Sequence, residues 1–150
     1  MMEKILIASD HAGFNLKEKL KSYLLKKNLE IVDLGTCSKE RCDYPEFAYS
    51  LAKKISAGKF KRGILICKTG IGNSIMANRL RGVRAALAYN VKAARLSREH
   101  NDSNVLVLGS VFVTKKLAKK IIDVWLKTPF QGGRHLKRLN LIKRFEREAR

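Results

Sequence analysis

Apolar residues along this chain fall into short continuous runs that alternate with stripes spaced three or four residues apart. The run Lys4–Ser9 (KILIAS) reads as a strand, and Leu16, Leu20, Tyr23 and Leu24, at i, i+4, i+7 and i+8, read as one face of a helix. The cycle repeats with a strand over Glu30–Leu34, a helical stripe of Phe47, Ala48, Leu51, Ala52 and Ile55, a strand over Gly63–Cys67 and a short helix over Ser74–Leu80. It continues through a strand at Arg84–Ala88, a helix at Val91–Glu99 and a strand at Val105–Gly109. Leu117, Ile121, Val124 and Trp125 then form a buried helical stripe, Pro129 and Gly132-Gly133 break it, and a last helix, roughly His135–Arg150, carries Leu141 and Phe145.

Strands that are continuously apolar, rather than alternating, are buried on both faces, as in a parallel sheet crossed by helices. The pattern therefore predicts an α/β fold, a three-layer α/β/α sandwich with a five-stranded parallel sheet, Rossmann-like, plus a C-terminal helix. A chain of 150 residues suits one domain spanning positions 1–150. Ligands of such sheets bind beyond the carboxyl ends of the strands, which directs attention to the loops after Ser9, Cys67 and Ala88 and to the segment near His100.

Charge narrows the partners. Lys and Arg number 32 against 13 Asp and Glu, a net charge of +19, of which residues 1–75 carry +6 and residues 76–150 carry +13. Nucleic acid, an anionic membrane surface and a phosphorylated small molecule are the partners such a balance favours. No block is purely basic and no aromatic residues are interleaved as a stacking platform, so a nucleic-acid role is not expected. The opening apolar run is too short for a signal peptide and no stretch approaches the roughly 18 apolar residues of a membrane span, so a soluble cytoplasmic protein without membrane contact is expected. The three cysteines, Cys37, Cys42 and Cys67, include no CxxC pair and read as reduced thiols without a metal site.

The segment Cys67-Lys68-Thr69-Gly70-Ile71-Gly72-Asn73-Ser74 carries a strand end through two glycines into a helix. Glycines permit close backbone approach, and amides at a helix start point toward negative charge, although two glycines also serve a plain strand-to-helix turn. A thiol before a row of amides can have its pKa lowered and act as base or nucleophile; the same spacing suits a buried structural cysteine. Asp10-His11, after the first strand, offers a carboxylate and an imidazole for hydroxyls, phosphate or proton transfer, or else a cap for the next turn. His100-Asn101-Asp102 reads locally as a loop, Arg134 and Arg138 at i, i+4 as either an anion clamp or a solvated basic face, and Asp43-Tyr44-Pro45 as a helix start with Pro45 near its first position. Cys37 and Cys42 read as incidental loop thiols.

Taken together and in order, Ser9-Asp10-His11-Ala12-Gly13, Asp33-Leu34-Gly35-Thr36, Asp43-Tyr44-Pro45, the segment ILICKTGIG over Ile64–Gly72, the run from Leu96 to Asn104 (LSREHNDSN) and Gly132-Gly133-Arg134-His135 resemble type B ribose-5-phosphate isomerase. The resemblance spans nearly the whole chain and implies the same parallel-sheet fold. It implies an aldose–ketose isomerase that interconverts ribose 5-phosphate and ribulose 5-phosphate through a cis-enediolate, without metal or organic cofactor. In that reading Cys67 is the base, His100 opens the sugar ring, and Thr69 with the amides of Gly70 to Ser74 stabilises the enediolate. Asp10, His11, Tyr44 and Asn101 are substrate contacts, as are Lys68, Gly70, Ile71, Gly72, Asn73 and Ser74. His11, Arg134 and Arg138 hold the phosphate. Family members are dimers, with pairing into tetramers as the further alternative, whose active site is shared between subunits, so His100, Asn101 and the arginines would complete the partner's Cys67 site. The alternative readings are the same chemistry on a six-carbon sugar phosphate, allose 6-phosphate or galactose 6-phosphate, and a basic anion- or RNA-binding module.

The chain departs from the family pattern at three positions. Lys68 stands where relatives with a catalytic cysteine commonly have glycine, its side chain either approaching the anion or, as preferred here, turning to solvent. Val111 stands where many members carry an arginine, and Asn73 where cysteine-type relatives often have an apolar residue.

Overall fold

The computed structural model describes residues 2–149. Five strands form one wholly parallel sheet in the order β2-β1-β3-β5-β4, where β1 is Lys4–Ser9, β2 Glu30–Asp33, β3 Arg62–Cys67, β4 Ala85–Leu87 and β5 Val105–Gly109. Of the six α-helices among the described residues, α1 Phe14–Leu25, α2 Tyr44–Ser56, α3 Ile71–Ala77, α4 Val91–Asn101 and α5 Lys115–Lys127 cover it, and α6 Arg134–Glu148 packs on α4. The expected fold class is the one observed. No helix among the described residues is long and apolar enough to cross a membrane.

Alternation along the strands divides the core. Ile5 and Ile7 of β1, Ile64 and Ile66 of β3, and Leu106 and Leu108 of β5 point to one face, where Leu16, Leu20 and Leu24 of α1, Ala94 of α4 and Ile121 and Trp125 of α5 cover them. Leu6, Ala8, Leu65, Val105 and Val107 point to the other, under Ala48, Leu51 and Ile55 of α2 and Ala77 of α3. Complete burial of the three central strands explains their continuous apolar runs. Two of the large polar side chains inside are paired: the Trp125 indole donates to Ser103 Oγ at 2.8 Å, and the ammonium of fully buried Lys17 donates to Asp33 Oδ2 at 2.5 Å.

The strand order fixes where a ligand can sit. From β1 the chain crosses outward to β2, whereas from β3 it proceeds to the opposite side of the sheet, so the loops after β1 and β3 part and leave a crevice between Ser9 and Cys67. Register places Ser9 beside Ile66 and Cys67 beside Gly109, bringing three strand ends level at this edge.

Several boundaries differ from the sequence expectation. Helix α3 begins at Ile71, three residues before Ser74, because Gly70 adopts a left-handed conformation (φ +83°) that ends the loop without a polar cap. Helix α4 runs on to Asn101 and stops at Asp102, itself left-handed at φ +45°, so His100 and Asn101 are helical rather than in a loop. The last helix starts at Arg134 and ends at Glu148, while Arg150 lies outside the described residues. Helix α6 buries only His135 and leaves Leu136, Leu141, Ile142 and Phe145 exposed.

Candidate active site

Cys67 closes β3 with only 4% of its surface exposed, and its Sγ accepts the Gly70 N–H at 3.1 Å. The loop between them is bound on several sides. Thr69 Oγ1 accepts the Ile71 N–H at 3.2 Å, the Thr69 carbonyl accepts the Tyr89 hydroxyl at 3.2 Å, and the carbonyls of Cys67 and Lys68 accept the N–H groups of Ser110 and Val111 at 2.8 and 3.1 Å. Gly109 is needed where it stands, since a Cβ there would lie 2.3 Å from the Thr69 carbonyl oxygen. The side chain of Lys68 is exposed, as preferred from the sequence, and Asn73 is buried with both amide atoms unpaired.

The loop amides lower the pKa of the thiol less than burial raises it. Burial is the largest influence on Cys67 and pushes its pKa above the ordinary thiol value; the amides of Gly70, Asn73 and Thr69 pull the other way, and the charge of Asp10 adds to the rise. Of the two readings the sequence left open, a thiol acidified by the loop amides is the one this balance does not favour. Its premise, amides around the sulfur, holds, but the strand end is too deeply enclosed for them to prevail.

Across the crevice, Asp10, His11, Arg41, Cys42, Asp43 and Tyr44 line a cavity of about 470 Å³. Asp10 is buried and caps the single 3-10 turn His11–Gly13 by accepting the Gly13 N–H at 3.1 Å, so the capping and site readings are compatible. The Cys42 N–H reaches His11 Nδ1 at 3.3 Å and the Cys42 carbonyl lies 3.2 Å from the same nitrogen, fixing that side of the ring to the loop. Tyr44 opens α2, with Pro45 in its first turn as expected, and lays its ring over Gly72, where a Cβ would meet the ring and hydroxyl at 2.3 to 2.6 Å. Asp10, His11, Tyr44, Cys67, Thr69 and the Gly70–Ser74 segment thus belong to the carboxyl edge of the sheet.

His100, Asn101, Arg134 and Arg138 do not. Helix α4 runs from the end of β4 back to the start of β5, so its last turn lies at the amino edge, where the Asn104 carbonyl and side-chain oxygen accept the N–H groups of Gly63 and Arg84 at 3.0 and 2.8 Å. The length of β3, about 17 Å at the usual strand rise, separates that edge from Cys67. The sequence expectation that the His100 segment sits among the carboxyl-edge loops is corrected: a helix returning between parallel strands must end on the other side. The Gln131 N–H donates to the Glu99 carbonyl at 3.1 Å and so brings the start of α6 against α4. There the rings of His100 and His135 stack with centroids 4.3 Å apart and planes within 12°, and Arg134 and Arg138 are exposed beside them. The residues singled out in the sequence thus fall into two groups on opposite edges of the sheet.

Arg41, Cys42, Tyr89 and His135 were missed as site neighbours. Tyr89 and His135 reach the site through tertiary contacts that local spacing does not announce, whereas Arg41 and Cys42 carried a usable signal in adjoining Asp43-Tyr44.

The Ribose/Galactose Isomerase family matches residues 5–142. Ribose-5-phosphate isomerase B of Escherichia coli is 45% identical over 145 residues, covering 97% of each chain. The probable ribose-5-phosphate isomerase B of Mycoplasma genitalium is 45% identical over 151 residues, covering 99% of each. Among solved structures, Clostridium thermocellum ribose-5-phosphate isomerase B superposes with a TM-score of 0.96 at 47% identity, covering 98% of this chain and 99% of its own. The Mycoplasma genitalium ribose-5-phosphate isomerase B with bound ribulose-5-phosphate superposes with a TM-score of 0.95 at 44% identity, covering 99% of each.

Proposed function

Since the chain belongs to the Ribose/Galactose Isomerase family and is a sugar-phosphate isomerase, we propose that it interconverts ribose 5-phosphate and ribulose 5-phosphate through an enediolate, with Cys67 as the base. The observation that carries this reading is the enclosed Cys67 thiol under the Gly70 amide, facing a polar crevice that holds Asp10, His11 and Tyr44.

The chemistry follows from that placement. A sugar α-proton is weakly acidic, so a thiolate made more basic by burial is a better acceptor for it once formed. Cys67 takes the proton from C2 of the open-chain aldose, which leaves the charge on O1, and returns it to C1 as the proton of the C2 hydroxyl passes to O1. Thr69 and the backbone amides from Gly70 onward meet that charge, which is absent in the ground state, and so stabilise the intermediate selectively. Tyr44 and Asp10 hold the sugar hydroxyls, and His11 reaches the phosphate.

Ring opening and the rest of the phosphate clamp come from a second copy of the chain. His100 and Asn101, with Arg134 and Arg138 beside them, lie at the wrong edge to serve their own Cys67, and α6 leaves four apolar side chains exposed for a partner. In the shared site His100 moves the proton of the ring hydroxyl, Asn101 contacts the sugar, and the two arginines hold the phosphate, whose binding energy keeps C1 and C2 at the thiol.

The test is isomerisation of ribose 5-phosphate by the purified protein without added metal. Cys67→Ala is expected to lower kcat by about 10³ or more while substrate binding, read by calorimetry, stays within a fewfold, in keeping with loss of a proton-transfer group. Full turnover by that variant would remove Cys67 from the role of base. A higher kcat/KM on a six-carbon aldose phosphate than on ribose 5-phosphate would move the substrate and leave the mechanism in place.

A further inference from the structure

The His100–His135 pair calls for an explanation beyond the roles above. His135 is the one buried residue of α6, 6% exposed, on a helix otherwise turned to solvent. Its ring lies flat on that of His100, 4.3 Å between centroids and 12° between planes. One further contact ties the junction, the Gln131 N–H on the Glu99 carbonyl at 3.1 Å, and the His135 N–H on the Gly132 carbonyl at 3.1 Å closes the turn that opens α6.

We propose that His135 is a positioning residue for His100, its ring serving as the plate that sets the orientation from which His100 moves a proton on the sugar ring. Two stacked imidazoles hold each other's planes parallel and leave the ring nitrogens at the rim of the stack, so His100 keeps its edge free for substrate while its face is occupied. The arrangement works only if the plate is uncharged, because two imidazolium rings at this spacing repel. Burial lowers the pKa of His135, and the neighbouring His100, Arg134 and Arg138 lower it further, against an opposing effect from Glu99, a balance that favours the uncharged form of the plate. The buried member of the pair supports, and the half-exposed member is left to react.

This inference rests on the ring-opening role proposed for His100, and the experiment separates the two. Turnover is measured on ribose 5-phosphate and on 4-deoxyribose 5-phosphate, an aldose phosphate of the same length that lacks the hydroxyl needed to close a five-membered ring. The readout is the ratio of the two kcat values. His135→Ala is expected to lower that ratio about tenfold with KM for ribose 5-phosphate within a fewfold, and His135→Phe, which restores a flat neutral ring, to bring it back to within about threefold of the parent, a modest loss of the kind produced by misplacing one catalytic group. An unchanged ratio in His135→Ala, whether both rates persist or both fall together, overturns the inference, as does a His135→Phe variant as impaired as His135→Ala. His100→Ala is the control on the underlying reading: it must lower the ratio further than His135→Ala does, and if it leaves the ratio unchanged the role of His100 fails irrespective of His135.

Discussion

Cys67 sits under opposing influences, and their balance gives a test at the level of one side chain. Burial is the largest and raises the thiol pKa, the amides of Gly70, Asn73 and Thr69 lower it, and the nearby charge of Asp10 raises it again. A thiolate forms only as pH climbs through the raised value, so in the free protein the alkylation rate of Cys67 by iodoacetamide is expected to reach half its maximum above the ordinary cysteine midpoint of about 8.5. Asp10→Asn removes a negative charge that disfavours the thiolate and keeps an oxygen for the Gly13 N–H, so its midpoint is expected to fall relative to the parent. A midpoint unmoved by that change would mean that the Asp10 charge does not act on the sulfur. The sequence showed the ingredients here, a thiol followed by glycines and amides, but not their balance, because burial of a strand end is settled by the helices that come to cover it.

At the level of elements, the edge strand β2 is fastened to α1 by charge. Lys17, fully buried among the leucines of α1, and Lys21 one turn later both donate to Asp33 Oδ2, at 2.5 and 2.7 Å, while Asp33 Oδ1 accepts the Gly35 N–H at 2.8 Å. Burial acts to raise the Asp33 pKa, but these three hydrogen bonds together outweigh it and hold the carboxyl below its ordinary value. A folded-state pKa below the unfolded one contributes stability above about pH 3.9 that is lost as pH falls toward the folded value. The melting temperature of Asp33→Asn is therefore expected to lie below the parent at pH 7 and to decline less between pH 5 and 3. Lys17→Met should cost about 3 kcal/mol in urea unfolding, the lower end for breaking a buried pair, since Lys21 still covers Asp33. Strands and helices were legible from the period of apolar residues, which marks the buried leucines of α1 and the buried Ala48, Leu51, Ala52 and Ile55 of α2 but gives no sign that Lys17 is buried among them while Tyr23 and Phe47 stay partly open. The boundaries that moved, at α3 and α4, are set by left-handed residues, Gly70 and Asp102, whose conformation no apolar period records.

At the scale of the whole molecule, strand order separates what the sequence motifs had placed together. The order β2-β1-β3-β5-β4 opens the crevice at Cys67, and the same winding returns α4 and the start of α6 to the far edge. If each site is built from two subunits, mixing is diagnostic. Cys67→Ala and His100→Ala chains, each inactive alone, are expected to regain about a quarter of parental activity on co-refolding in equal amounts, because half of the dimers are mixed and one of their two sites is intact. No recovery, with mixed dimers shown to form, would place His100 and Cys67 in one subunit's site. The tip of β3 adds a thermodynamic consequence. With Gly109 pressed against the Thr69 carbonyl, Tyr89 bonded to that oxygen, and Ser110 and Val111 tied to the two preceding carbonyls, the loop after Cys67 has already lost its conformational entropy on folding. A ligand arriving there orders no segment of that loop, and its binding free energy is left for selecting the high-energy form of the sugar.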